Sequence, residues 1–268
     1  LIKGDTTEYQ TYNEALNASV EKRYLTKDNV KNFVCFGSEA SPCPTENLYR
    51  IIGVFNNQVK LIKSTKATSS LLGTDGDYST NTEYHWNYMN DTTLNSGNGS
   101  NEWSTSLLNA VNLNTNFLNK FTAEWQDKIA VTTWSTSGSN GFSITPKAMF
   151  DNEITNSSKK YRAKIGLMYA SDYGFAAAPS AWTTKLNNYD DATIKNENWL
   201  YIGLYEWTIS RYSDDFGIAF GVYDDGSVGD NLVDSSRGGV LRPSFSLSSS
   251  IKFTSGEGTA VNPIRIKL

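Results

Sequence analysis

An α+β domain is the fold class this sequence predicts, and three observations carry the prediction. Apolar residues at helical spacing are confined to the first half of the chain. Short aromatic or β-branched runs, each bounded by Gly, Asp, Asn or Pro, fill the second half, and long polar stretches lie between. No repeat of about 20 to 50 residues is visible, which argues against solenoids and propellers. The 268 residues suffice for a sizeable core. With 15 Tyr, 12 Phe and 7 Trp, large rings must fill much of it.

Taken in order, residues 6–24 carry Tyr9, Tyr12, Leu16 and Val20 at spacings of three and four, which predicts an amphipathic helix of about five turns. Next come Cys35 and Cys43, the only cysteines. Two cysteines with no histidine nearby do not complete a zinc site, whereas a bridge over a short Gly/Pro turn is easily made. A disulfide is therefore favoured over two free thiols, and with it an oxidising compartment. Pro42 and Pro44 place a boundary near residue 45: residues 1–45 form an N-terminal helix with a cysteine loop, and 46–268 form the main domain.

Leu48–Phe55 and 58–63 are β-rich runs joined by Asn56 and Asn57, and asparagine tolerates the positive φ that a two-residue hairpin requires. Residues 73–101 are too polar for a core and long for a loop. Helical spacing returns with Trp103, Leu107, Leu108 and Val111, then with Phe117, Leu118, Phe121, Trp125 and Ile129, predicting two helices joined near 112–116. The runs 163–169, 198–209, 217–223 and 239–247 are expected to be strands of one antiparallel sheet.

A net charge of −4 gives no electrostatic footprint for nucleic acid, and no basic cluster is denser than Lys159, Lys160 and Arg162. No apolar run approaches the length of a membrane span. The single histidine, His85, reads as an ordinary packing residue, because no Gly-x-Ser-x-Gly elbow accompanies it. Carboxylates cluster as Asp190–Asp191, Asp214–Asp215 and Asp224–Asp225, followed by Asp230 and Asp234. Paired acids at the right separation hydrolyse glycosidic bonds, so a glycan hydrolase is an alternative reading. The run 224–231 also offers oxygen ligands as Ca2+ loops do, but without the positions of an EF-hand. Asp-Gly turn chemistry is its simplest explanation, with Ca2+ or a ligand contact as alternatives and no other cofactor or metal expected. Arg242 beside Pro243 reads as a structural anchor for a buried carboxylate, with Glu206 a candidate partner.

The most unusual stretch is 208–251, which runs for 44 residues without Lys, Glu, Gln, Met or Trp. Those types number 42 in the chain, so about seven are expected there. Tyr, Ser, Asp, Gly, Asn, Phe and Arg fill it instead, the palette of binding loops.

The ordered segments Leu48-Tyr49-Arg50-Ile51-Ile52-Gly53-Val54, 164–176, Asn198-Trp199-Leu200, Glu206-Trp207-Thr208-Ile209-Ser210, 238–245 and 255–263 resemble bacterial surface proteins with a C-type-lectin-like domain. These proteins are distantly related to the formylglycine-generating enzyme group, and some have a type IV pilin-like N-terminal helix. The resemblance covers about four fifths of the chain. It implies a twisted antiparallel sheet with two helices and long loops. The enzyme branch works through cysteines near the end of the domain, and this chain has none after Cys43, so that activity is not implied.

The binding branch includes variable proteins of diversity-generating retroelements, which present a C-terminal ligand surface. Mutagenesis of AAC-type codons at adenine leaves codons ending in C, and these encode none of the five missing types. What is implied is an extracellular or cell-surface bacterial binding protein, adhesin-like, with a protein or glycan ligand. The expected contacts are Arg211, Tyr212, Asp214, Asp215, Phe216, Tyr223, Asp224, Asp225, Asp230, Asn231, Asp234 and Arg237. A pilus or fibre subunit docking through the N-terminal helix is a third reading.

Overall fold

The computed structural model describes residues 30–88, 99–235 and 238–268, and the backbone of 9–11 and 22–24. Its largest sheet has β1 (Tyr9–Thr11), β2 (Lys22–Tyr24), β4 (Leu48–Phe55), β5 (Gln58–Lys63), β14 (Ser244–Ser246) and β10 (Ile165–Gly166) side by side. To the same sheet β3 (Phe33–Cys35) adds on β4, and β15 (Ile264–Arg265) lies parallel to β3. The β4–β5 hairpin turns at Asn56 and Asn57, with φ of 49° and 62°, as the sequence predicts. Both asparagines occupy the left-handed region that a two-residue turn demands.

The helix expected over 6–24 is corrected by strands: Tyr9 pairs with Tyr24 in β1–β2, and Lys22 of β2 pairs with Val54. Pairing along β4 overrides the local spacing, as tertiary context commonly does for weakly helical sequences. Tyr12, Leu16 and Val20 lie outside the described residues. The boundary expected near residue 45 falls between two paired strands, because Phe33, Val34 and Cys35 face Arg50, Tyr49 and Leu48. The disulfide joins Cys35 to Cys43, closing the turn that leads from β3 towards β4. Chain-entropy reasoning gives a loop this short a stabilisation of about 2.6 kcal/mol.

The join expected at 112–116 is also corrected. Residues 108–117 form one wide helix with π-type hydrogen bonding, and the break comes at Phe121 and Thr122, before the helix Ala123–Asp127. The asparagines that suggested a loop are tertiary clamps. Asn112 Nδ2 donates to Leu72 O and Asp75 O while its Oδ1 accepts from Asp77 N, and Asn114 exchanges hydrogen bonds with both backbone groups of Ile165. The buried Asn112 amide and the half-buried Asn114 amide fix the position of this helix against β10 and the 72–77 loop.

Aromatic rings do fill the core. Phe36 meets Phe121, Trp125 and Phe245 at centroid distances of 5.2, 4.9 and 4.9 Å, in edge or tilted contacts. Trp86, Trp103, Trp134 and Trp207 are fully buried. Among the described residues no helix is long and apolar enough to cross a membrane.

One core carboxyl makes stability depend on pH. Glu153, buried against the helix Ala170–Phe175, accepts from Ser171 N at 3.3 Å. Burial pushes its pKa up to about 7, against the opposing pull of the Ser210 and Ser171 hydroxyls. Because the folded value lies above the unfolded one, the folded state is favoured below the ordinary carboxylate range, and this contribution is lost as pH rises through about 7. Glu153→Gln is therefore expected to leave thermal stability nearly unchanged near about pH 4 and to raise it by about 3 kcal/mol near about pH 8. Equal shifts at both pH values would refute this.

Candidate functional site

The expected single sheet in the second half is instead divided. Strands β10 and β14 belong to the large sheet, β6 (Tyr78–Thr80) pairs with β7 (Glu83–Tyr84), β8 (Thr132–Ser135) pairs with β9 (Lys160–Ala163), and β11 (Glu206–Arg211), β12 (Ile218–Val222) and β13 (Val228–Leu232) form a separate antiparallel sheet. The cause is burial: all six residues of β11 are inaccessible, so this strand packs within the molecule rather than extending the outer sheet.

A buried ion pair frames the three-stranded sheet. Arg242 Nε and Nη2 donate to Glu206 Oε1 and Oε2 at 2.8 and 2.7 Å, and Nη2 also reaches Leu200 O at 2.7 Å. This two-point pairing is the partnership the sequence suggested, and it ties the start of β11 to the segment before β14. Indole N–H groups reinforce the frame: Trp86 donates to Thr208 O at 2.9 Å and Trp207 to Tyr84 O at 2.8 Å. Both bonds fasten the 84–87 segment along β11.

Between β11 and β12 the loop 212–217 is held from below by Asn101, whose Nδ2 donates to the carbonyls of Tyr212, Asp215 and Ile218. Arg211 Nη1 in turn donates to Asn101 Oδ1 at 2.9 Å, and its Nε donates to Thr136 O at 2.7 Å. Arg211, expected at the ligand, is therefore turned inward and buried. A buried guanidinium satisfied by oxygen acceptors organises the loop rather than contacting a partner. Gly138 allows this close approach, because a Cβ there would stand 2.2 Å from Arg211 O.

Above this base the side chains diverge into solvent. Phe216 is 70% exposed, Asp214 and Asp215 are exposed, and Asp215 Oδ1 accepts from Gly217 N at 2.9 Å. The partly buried Tyr212 ring packs on Phe220 at 4.9 Å, and its hydroxyl is held above its ordinary pKa by burial and then by the Asp230 and Asp215 carboxylates. Across β12, Leu232 pairs with Ile218 and is 55% exposed. Asp234 crowds Gly99, where a Cβ would lie 2.8 Å from its carboxylate. Tyr88, 49% exposed, stacks on His85, whose Nδ1 is 2.7 Å from Ser235 O. One end of the sheet thus gathers Tyr212, Asp215, Phe216, Asp230, Leu232, Asp234 and Tyr88.

Tyr223, Asp224 and Asp225 are corrected to the opposite end of β12, because the β12–β13 hairpin turns there. Asp225 Oδ1 accepts from Ser227 N and Oγ, and Gly226 sits at φ +98°, so this segment is built as a turn. The Tyr223 ring lies over Gly229 and its hydroxyl donates to Asp230 O at 2.6 Å. Asp191 caps the helix Ala192–Glu197 through Thr193 N and Ile194 N, and the preceding Tyr189 carbonyl lies against Gly226. The Asp190–Asp191 and Asp224–Asp225 pairs therefore share one end, away from Asp214–Asp215. Arg237 lies outside the described residues. Among those described, no group of three or more His, Cys, Asp or Glu side chains is arranged to hold a metal.

The outer strand β13 is blunted along its free edge. Asp230 O is taken by Tyr223, Leu232 N by Asn231 Oδ1 at 2.9 Å, and Leu232 O by Ser235 N at 3.0 Å. Such capping discourages pairing with another strand, so contact at this end is left to side chains.

Fold and burial define the class as a mixed α+β protein with antiparallel sheets and few helices. No family model, curated protein or solved structure matches the chain.

Proposed function

We propose that this chain is a secreted or surface-displayed bacterial binding protein with a C-type-lectin-like fold. Its ligand would be recognised at the end of the three-stranded sheet formed by 212–217 and 230–235. One observation carries the reading: the stretch whose composition is that of binding loops sends Phe216, Leu232, Asp214 and Asp215 into solvent, while Glu206 just before it is locked to Arg242 near its end. Exposed apolar anchors on a rigid, hydrogen-bonded base are what a recognition surface needs, because little side-chain or loop entropy is then lost on binding. The carboxylates around the anchors favour a ligand that presents cationic groups beside an apolar patch, with the protein ligand of the two expected classes fitting this best. Within this reading, retroelement mutagenesis would write the exposed residues and leave the framed strands alone. Binding of the whole chain to arrayed cell-surface proteins and glycans tests it, comparing wild type with Phe216→Ala. Retention of the same target at unchanged affinity by that variant would refute the assignment.

A further inference from the structure

A cavity of about 270 Å3 opens between the tip of the β4–β5 hairpin, the β8–β9 pair and the helix Ala170–Phe175, and it shares no residue with the sheet end described above. We propose that this cavity binds a small organic acid with a flat apolar body of one ring or two fused rings.

The walls supply the apolar part. Phe55, Trp134, Phe150 and Tyr169 come from four separate segments and converge on the space. Aromatic walls with a few placed polar groups are the usual make-up of a small-ligand site, and this volume lies at the lower limit for such sites.

Charge selects the ligand's polar group. At the floor the buried Lys60 ammonium lies 2.6 Å from Asp172 Oδ2, with the rings of Tyr169 and Trp134 at 4.6 and 5.3 Å. Asp172 Oδ2 also accepts from Tyr169 N at 2.9 Å, which fixes the carboxylate in place. Lys60 is thereby neutralised. Lys160, on β9 at the side of the cavity, donates to Ser135 Oγ at 2.8 Å and has no carboxylate at ion-pair distance among the described residues. Among the described lining residues, two ammonium groups stand against one carboxylate, and Lys160 is the one that lines the cavity without a carboxylate beside it. A cationic guest would meet both ammonium groups, and the ring faces that would attract it already surround Lys60. A carboxylate instead gains a charge-assisted hydrogen bond from Lys160 while its apolar body lies against the rings.

Calorimetric titration of the whole chain with phenylacetate and indole-3-acetate tests the proposal, with phenylacetamide as the uncharged comparator. Two variants leave the Lys60–Asp172 pair untouched: Lys160→Ala removes the unpaired ammonium, and Thr133→Trp, at an exposed lining position on β8, fills the mouth. Saturable binding of an acid is expected, weaker by about tenfold for the amide and for Lys160→Ala, and lost in Thr133→Trp. Phe216→Ala should leave it unchanged. No saturable binding of either acid at millimolar concentration would overturn the proposal. So would equal binding of acid and amide, or acid binding indifferent to both variants.

Discussion

Arg242→Met is expected to destabilise the fold by about 3 to 5 kcal/mol, the typical cost of leaving one member of a buried ion pair without its partner. Both members are buried, and the substitution removes two hydrogen bonds to Glu206 and one to Leu200 O at once. Adding Glu206→Leu to Arg242→Met should recover much of the loss, because an apolar pair of similar volume needs no charge compensation. Recovery should stay incomplete, since Leu200 O still lacks its donor. Chemical denaturation of the wild type, both single variants and the double variant measures the coupling directly. A loss below about 1 kcal/mol in the single Arg242 variant would show that this ion pair does not hold the frame.

The second large effect concerns binding. For an array target retained by the wild-type chain, Phe216→Ala should weaken affinity by at least about tenfold, since exposed aromatic anchors carry disproportionate interface energy. Leu232→Asp should act in the same direction, by removing apolar contact and adding a carboxylate beside Asp230 and Asp234. Stability should change by no more than about 0.5 kcal/mol in the Phe216 variant, because its ring is 70% exposed. This contrast separates a contact residue from a packing residue. Arg211→Ala should behave oppositely, lowering stability by releasing Asn101 and with it the loop 212–217.

Some of this architecture was legible in the sequence because its causes are local or chemically exclusive. The β4–β5 hairpin needed only two β-rich runs and the paired asparagines Asn56 and Asn57. The Glu206–Arg242 pair was legible because charges embedded in apolar strands must find each other, and Cys35 had only Cys43 to join. Strands β1 and β2 were not legible: their pairing partner on β4 is remote in sequence, whereas the spacing of Tyr9, Tyr12, Leu16 and Val20 is local and suggests a helix. The asparagines of 108–117 looked like a loop because nothing in the sequence reveals that Leu72, Asp75 and Ile165 present backbone groups to them.

The candidate site was legible in part. Composition marked 208–251, but only the sheet register separates Phe216 from Tyr223 and only packing turns Arg211 inward. Tyr88 and Leu232 carried no signal, one lying in a polar stretch and the other beside Val233, whose burial the sequence does not distinguish from the exposure of Leu232. Asn101 was equally silent, although its single amide holds two carbonyls of the loop and the first carbonyl of β12. The acid-binding cavity draws on segments more than 100 residues apart, such as Lys60 and Asp172, and no motif spans them.

The most direct test is population sequencing of the coding DNA for 206–245 together with its chromosomal neighbourhood. A near-duplicate of this DNA, differing only at adenines, is expected beside a reverse-transcriptase gene. Amino-acid variation should concentrate at exposed positions of the sheet end such as Asp214, Asp215, Phe216 and Leu232, and should spare Glu206–Arg211 and Arg242. Variation spread evenly over buried and exposed positions, or concentrated on the framed strands, would contradict the claim that this sheet end is the recognition surface.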